Sequence, residues 1–421
     1  MTMADYRDMW KDLNVDLEKH DQLCEILPEL YGETYLTQEN RPEGMNYFNY
    51  VVAEVHGARI QELEEHKKNG RKIIGTFCVF VPDEVILAAN AVSVGLCAGS
   101  QFWIEDGERV LPRNLCPLIK AFTGAKIGRT CPYFQSCDLL VGETTCDGKK
   151  KAWEVLKDYT PVHVMELPQM KRPQNYEQWA EEIKLFIERI EELTGNKVTV
   201  EGLQKAIKLN NRKRRALKRL YDLRKNNPVP ISGLDVLLIS QIAFYDDPER
   251  FIEKVNELCD ELEERVKTMK PNGKKRILIT GTPMALPNWK MHSIVEGLDA
   301  EIVLEETCTG SRYFENEVAE DGETLDEILK NLADRYMGVN CACFTPNDGR
   351  IDDILKYARE YNVDGVINYN LSFCHTYAVE YSQVEKTLKE NNIPVMMIET
   401  DYSTEDTGQI KTRVEAFLEM I

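Results

Sequence analysis

Residues 138–154, Asp138-Leu-Leu-Val-Gly-Glu-Thr-Thr-Cys146-Asp-Gly-Lys-Lys-Lys-Ala-Trp-Glu154, decide the fold. The apolar run Leu139 to Val141 reads as a buried strand, Thr144 to Gly148 turn the chain, and a helix follows from Lys149. Cys146 then stands where the carboxyl end of a strand meets a helix amino terminus. Free N–H groups and the helix dipole favour a thiolate there. In open α/β sheets that edge is also where ligands bind. The same order recurs from Asp364 to His375 as strand, Cys374, then helix. Two similar α/β lobes that present cysteines to each other are expected.

Working outward, a first lobe spans 71–174. Its strands run from Arg71 to Cys78, from Ala91 to Leu96 before Cys97, through 138–143, and from Pro161 to Pro168. Val81-Pro82-Asp83-Glu84 and Asn114-Leu115-Cys116-Pro117 open helices, with proline and acids in the first turn. A second lobe spans 274–421. It runs through Arg276–Pro283, Glu301–Cys308, Gly338–Cys343, Asp364–Cys374 and Pro394–Asp401, and ends in a helix from Gly408 to Ile421 with Val414, Phe417, Leu418 and Ile421 on one face. Alternating strands and helices define an α/β class with mostly parallel, doubly wound sheets. Pro161-Val-His-Val-Met-Glu166 matches Pro394-Val-Met-Met-Ile-Glu399, and Cys116 takes a place matching Cys343, as in a duplicated unit. Residues 1–70 read as an N-terminal helical arm, helical over 3–35 and 46–67, and 175–273 as an additional helical segment. The basic run Asn211 to Leu220 in that segment is either a solvated face or a docking face for an acidic partner.

At 421 residues the chain suits two or three domains. An apolar fraction of 43% and a charged fraction of 29% describe a soluble globular protein, and a net charge of -19 argues against nucleic acid or anionic membrane as partner. No apolar run approaches the roughly 20 residues that span a bilayer. Met1 to Asp8 lacks a basic and an apolar signal region, so a cytoplasmic protein is expected. Twelve cysteines in a reducing compartment are not a disulfide framework. Cys24 and Cys259 lie in helical patterns and read as small buried hydrophobes. The rest fall at strand ends and turns, without the paired short spacings of zinc sites or a C-x-x-C redox motif. Thiolates scattered over two lobes can meet only in a cleft between them, and iron–sulfur clusters accept such ligands. No G-x-G-x-x-G follows a strand and no Walker A motif is present, so a dinucleotide is not indicated and ATP is handled elsewhere.

Several segments carry a family resemblance. They are Cys78-Val-Phe-Val-Pro-Asp-Glu84, Asn114-Leu-Cys-Pro117, Gly142-Glu-Thr-Thr-Cys146-Asp-Gly-Lys-Lys-Lys151, Glu306-Thr-Cys308-Thr-Gly310 and the tail Ile398-Glu-Thr-Asp-Tyr402 through Phe417. Over roughly 45–421 the chain resembles the 2-hydroxyacyl-CoA dehydratase and benzoyl-CoA reductase subunits, and among them it is most similar to the double-cubane cluster proteins. The resemblance implies two Rossmann-like lobes, an oxygen-sensitive cluster between them, anaerobic chemistry, and electrons from a separate ATP-hydrolysing iron–sulfur activator. It matches Cys78, Cys116 and Cys308 to the three-cysteine set of a dehydratase subunit, and leaves Cys146, Cys374 and Cys343 (or Cys341) as a second set. Six thiolates suit a double-cubane [8Fe-9S] cluster in a reductase of a small molecule. The alternatives are a dehydratase subunit with one [4Fe-4S] cluster, acyl-CoA and a different second subunit, or an iron–sulfur electron-transfer protein without a substrate. His375 could donate a proton or hydrogen bond to the cluster, or simply begin a helix; Glu143, Glu306 and Arg312 stand near cysteine loops. Cys97, Cys131 and Cys137 are taken as non-ligands. A homodimer is expected from the extra helical faces.

Overall fold

The computed structural model describes residues 6–421. Strands β1 (Ile73–Thr76), β2 (Val92–Gly95), β3 (Leu139–Glu143) and β4 (Val162–Met165) form an all-parallel sheet in the order β2-β1-β3-β4. Strands β5 (Lys275–Gly281), β6 (Ala300–Glu306), β7 (Gly365–Leu371) and β8 (Val395–Thr400) repeat it as β6-β5-β7-β8. The two doubly wound α/β units expected from the sequence are therefore present, with the same strand order. β1, β3, β6 and β7 are buried throughout, because helices cover both faces of a parallel sheet. In each sheet the winding reverses between the first and third strands, β1 and β3 or β5 and β7, which creates a crevice at the carboxyl edge.

The opening stretch folds as its composition dictates. β3 passes through a turn into the helix Asp147–Leu156. Trp153 on that helix is fully buried and donates its indole N–H to the Glu143 carbonyl at 3.0 Å. A Cβ at residue 142 would stand 2.2 Å from the Trp153 ring, so only glycine lets the helix pack this closely on the strand. The C-terminal helix Thr407–Met420 buries Ile410, Val414 and Phe417.

The arm departs from the expected pattern. Residues 3–5 lie outside the described residues, and the remainder of 3–35 forms two helices, Arg7–Asp12 and Leu17–Tyr31, followed by a π-helical turn, Gly32–Leu36. Asn14 between the helices is left-handed at φ 58°, which ends the first. Met45–Ala53 and Ala58–Lys68 replace a single helix over 46–67. The helical segment consists of Pro173–Thr194, Val200–Leu223, Gly233–Ile242 and Pro248–Val266.

The helix Val200–Leu223 carries the basic run, and most of its cations are paired within the chain. Lys213 and Arg214 are buried, and Arg214 pairs with buried Glu84 at 2.8 Å. Arg212 meets Glu249 at 2.9 Å, Arg215 meets Glu317 at 2.5 Å and Glu320 at 2.8 Å, and Arg219 meets Asp260 at 2.6 Å and Glu263 at 2.7 Å. In so acidic a chain neighbouring carboxylates pair with these arginines internally, while Lys213 donates to the Ala243 carbonyl. Just beyond the helix, fully buried Arg224 reaches Glu305 of β6 at 2.7 Å, and His292 lies 2.9 Å from the same carboxylate. Burial alone would raise the Glu305 carboxyl, but Arg224 and His292 hold it down at about 2.

Arg214→Met should cost about 3–5 kcal/mol in chemical denaturation, because Glu84 becomes an unpaired buried charge. Arg215→Met, at a half-exposed site, should cost less than about 1 kcal/mol. Equal effects of the two would contradict this division of the helix.

Candidate functional site

The carboxyl edges of both sheets open into one cavity of about 530 Å³, lined by nine of the twelve cysteines. Cys78 follows β1. Cys116 precedes Pro117 at the start of the helix Pro117–Ile127, and Cys146 caps the helix Asp147–Leu156. Cys308 follows β6, and Cys374 precedes the helix His375–Glu390. Cys341 and Cys343 sit in the loop between the helices Leu325–Met337 and Asp348–Glu360.

The thiols gather in two groups. Cys116 lies beside Cys374 with Cys146 adjacent. Cys308 lies beside Cys341 and Cys78, and Cys343 touches Cys341. Cys116 is thus a neighbour of Cys146 and Cys374, and Cys78 of Cys308. The Cys374 thiol beside it holds Cys116 below the ordinary thiol range. Burial pushes Cys146 up, opposed by a Lys149 backbone N–H that it accepts at 3.4 Å. Within the second group the neighbouring Cys341 pushes Cys308 up, and Cys308 holds Cys341 down.

The remaining cysteines behave as thiols. Cys97 lines the cavity but donates its S–H to the Phe77 carbonyl at 2.7 Å, and burial pushes it up to about 12. Cys137 donates to the Tyr133 carbonyl at 3.1 Å. Burial pushes Cys131 up to about 11. Cys259 is fully buried in its helix, whereas Cys24 is half-buried.

Buried cations stand behind the thiols. Lys149 pairs with Glu143, and Arg312 and Arg350 both reach Glu306. Gly281, at φ 130°, has its carbonyl 2.6 Å from an Arg312 N–H, and a Cβ there would stand 1.9 Å from the Tyr369 oxygen, so glycine is required. His375 is exposed at the cavity mouth, beside Phe373, which is 45% exposed. A largely apolar chamber with two clusters of thiols suits soft metal ions.

Sequence reading passed over a second cluster. His20, Cys24 and His56 bring their ligand atoms within 4.8 Å of one another. His20 and Cys24 are one helical turn apart, a visible spacing, but His56 enters from between two later helices. His20 Nε2 lies 3.0 Å from His56 Nδ1, and the Cys24 sulfur is nearly equidistant, at 3.7 and 3.8 Å, from the two His20 nitrogens. A metal on the Nε2 lone pair would place the sulfur much farther from Nδ1 than from Nε2. The two imidazoles thus form a hydrogen-bonded pair with the thiol packed alongside. Burial lowers His20 to about 4 and His56 further still.

An imidazole kept neutral by folding takes up a proton more readily once unfolded. Stability should therefore fall as pH drops from 6.5 towards about 4. The loss should reach about 3 kcal/mol, and His20→Gln should flatten it. Denaturation midpoints for the two proteins that stay parallel across this pH range would contradict the assignment.

Comparison with known proteins places this geometry. The family model described as 2-hydroxyglutaryl-CoA dehydratase, D-component, matches residues 78–421. The chain is 42% identical over 363 residues to YjiM of Escherichia coli (strain K12), covering 84% of this chain and 93% of that protein. It is 25% identical over 381 residues to the (R)-phenyllactyl-CoA dehydratase beta subunit of Clostridium sporogenes, covering 89% and 98%. It is 23% identical over 353 residues to a benzoyl-CoA reductase subunit of Thauera aromatica, covering 81% and 88%.

Proposed function

Since the chain belongs to the 2-hydroxyglutaryl-CoA dehydratase D-component family and is an enzyme of dehydratase or oxidoreductase type, we propose that it is an iron–sulfur reductase of a small molecule, driven by low-potential electrons. The observation that carries this reading is the pair of thiol groups in one cavity, Cys116, Cys146 and Cys374 against Cys78, Cys308 and Cys341 or Cys343. Three thiolates on each side suit a double-cubane [8Fe-9S] cluster better than a single [4Fe-4S] cluster. Such a cluster supplies electrons at low potential. The chain's own residues hold it, exclude bulk water and balance its charge: Lys149 and Arg312 stay cationic beside buried carboxylates. His375, on the first turn of its helix at the mouth, is placed to pass a proton to a substrate entering there.

Electrons come from a separate iron–sulfur protein that hydrolyses ATP, consistent with the lack of a Walker A motif in this chain. The protein works in the cytoplasm, without oxygen, and as a homodimer; Ile26, Leu36 and Tyr50 are exposed apolar side chains on the arm that a second copy would cover. A second reading, a dehydratase subunit with one [4Fe-4S] cluster, acyl-CoA and a different partner subunit, draws on the name of the Clostridium sporogenes relative. An electron-transfer role without a substrate is the third.

Protein purified without oxygen should be brown and contain about eight irons per chain with matching sulfide. About four irons would favour the dehydratase reading, and zinc without sulfide would sink both. Cys146→Ala and Cys374→Ala should each lose a large share of the iron, whereas Cys97→Ala should keep it. Light scattering at micromolar concentration should return a dimer mass.

A further inference from the structure

Tyr377 sits three residues beyond Cys374 in the helix His375–Glu390, yet its hydroxyl serves the other thiol group. It is 5% exposed, and its oxygen lies 3.5 Å from Cys341 Sγ. An Arg312 N–H donates to the same oxygen, so the phenol's own proton is free to point at the sulfur. The same guanidinium nitrogen, Nη1, is 3.5 Å from Cys308 Sγ. Both donors are firmly held. Arg312 donates to the carbonyls of Gly281 at 2.6 Å and Glu306 at 2.7 Å, besides its ion pair with the Glu306 carboxylate. The Tyr377 ring has Arg312 at 5.2 Å and Arg350 at 4.9 Å from its centroid. The group of Cys116, Cys146 and Cys374 is served by backbone N–H groups instead, those of Leu118 and Ile119 at Cys116, of Gly148 and Lys149 at Cys146 and of Tyr377 at Cys374. Cys146 accepts a backbone N–H, and Cys374 has the Thr376 hydroxyl at 3.9 Å.

We propose that Arg312 and Tyr377 are hydrogen-bond donors to the Cys308 and Cys341 sulfurs, and that they raise the reduction potential of the metal centre held at that end of the cavity. Donors and positive charge at ligand sulfurs stabilise the more negative, reduced form. Cys341, which receives the donor, is then a ligand, and Cys343 is its neighbour. The two thiol groups thus differ in their donors, side chains at one and backbone N–H groups at the other, and the helix that begins after Cys374 joins them through Tyr377. This inference rests on the iron–sulfur reading.

Tyr377→Phe keeps the ring and removes only the hydroxyl, so it folds where a larger change would not. In an EPR-monitored redox titration of anaerobic protein, its iron and sulfide should equal wild type while one midpoint moves to more negative potential. Arg312→Lys, which keeps the charge but loses the fork, should move the same midpoint in the same direction. Cys343→Ala should retain iron and midpoint, whereas Cys341→Ala should lose iron. Unchanged midpoints in Tyr377→Phe, or iron lost from Cys343→Ala and kept in Cys341→Ala, would overturn the proposal. Absence of iron from the wild-type protein would instead remove the iron–sulfur reading on which it stands.

Discussion

A parallel strand cannot turn back on its neighbour; it must hand the chain to a loop and a crossover helix, and it does so at its carboxyl end. That constraint organises this protein. Two sheets of the same strand order, β2-β1-β3-β4 and β6-β5-β7-β8, turn their carboxyl edges to a common cavity. Each loop leaving an edge can therefore deliver one residue, and here the residue delivered is repeatedly cysteine. Cys78 and Cys146 arrive from the first sheet, and Cys308 and Cys374 from the second. Cys116 and the Cys341–Cys343 loop add thiols from helix starts and connections.

Charge is handled by a similar rule. A chain of net charge -19 still buries several arginines, and some of them pair with a carboxylate from a distant element. Arg214 with Glu84 ties the helical segment to the first lobe, and Arg224 with Glu305 ties it to the second. At the cavity wall Arg312 pairs locally with Glu306, and its remaining N–H groups are directed at carbonyls, a tyrosine and a sulfur. Buried pairs of this kind contribute little net stability over an apolar core, but removal of one partner is costly. Their value here is positional, since they fix which side chains face the thiols.

Much of this was legible in the amino-acid sequence. The strand, cysteine, helix order at 138–154 and again at 364–375 determined the fold class, the duplication and the edge at which the site lies, because side-chain period and helix-start chemistry are local properties of the chain. The family, too, followed from short motifs around those cysteines. What tertiary structure alone decided is which distant segments meet. Cys116 joins Cys146 and Cys374 across two lobes, Tyr377 reaches past its own neighbour Cys374 to Cys341, and His56 finds His20. The arginines of the basic run at 211–220 pair with acids as far as 130 residues away along the chain. Such pairings depend on how packed elements align in three dimensions, and no local period records that alignment.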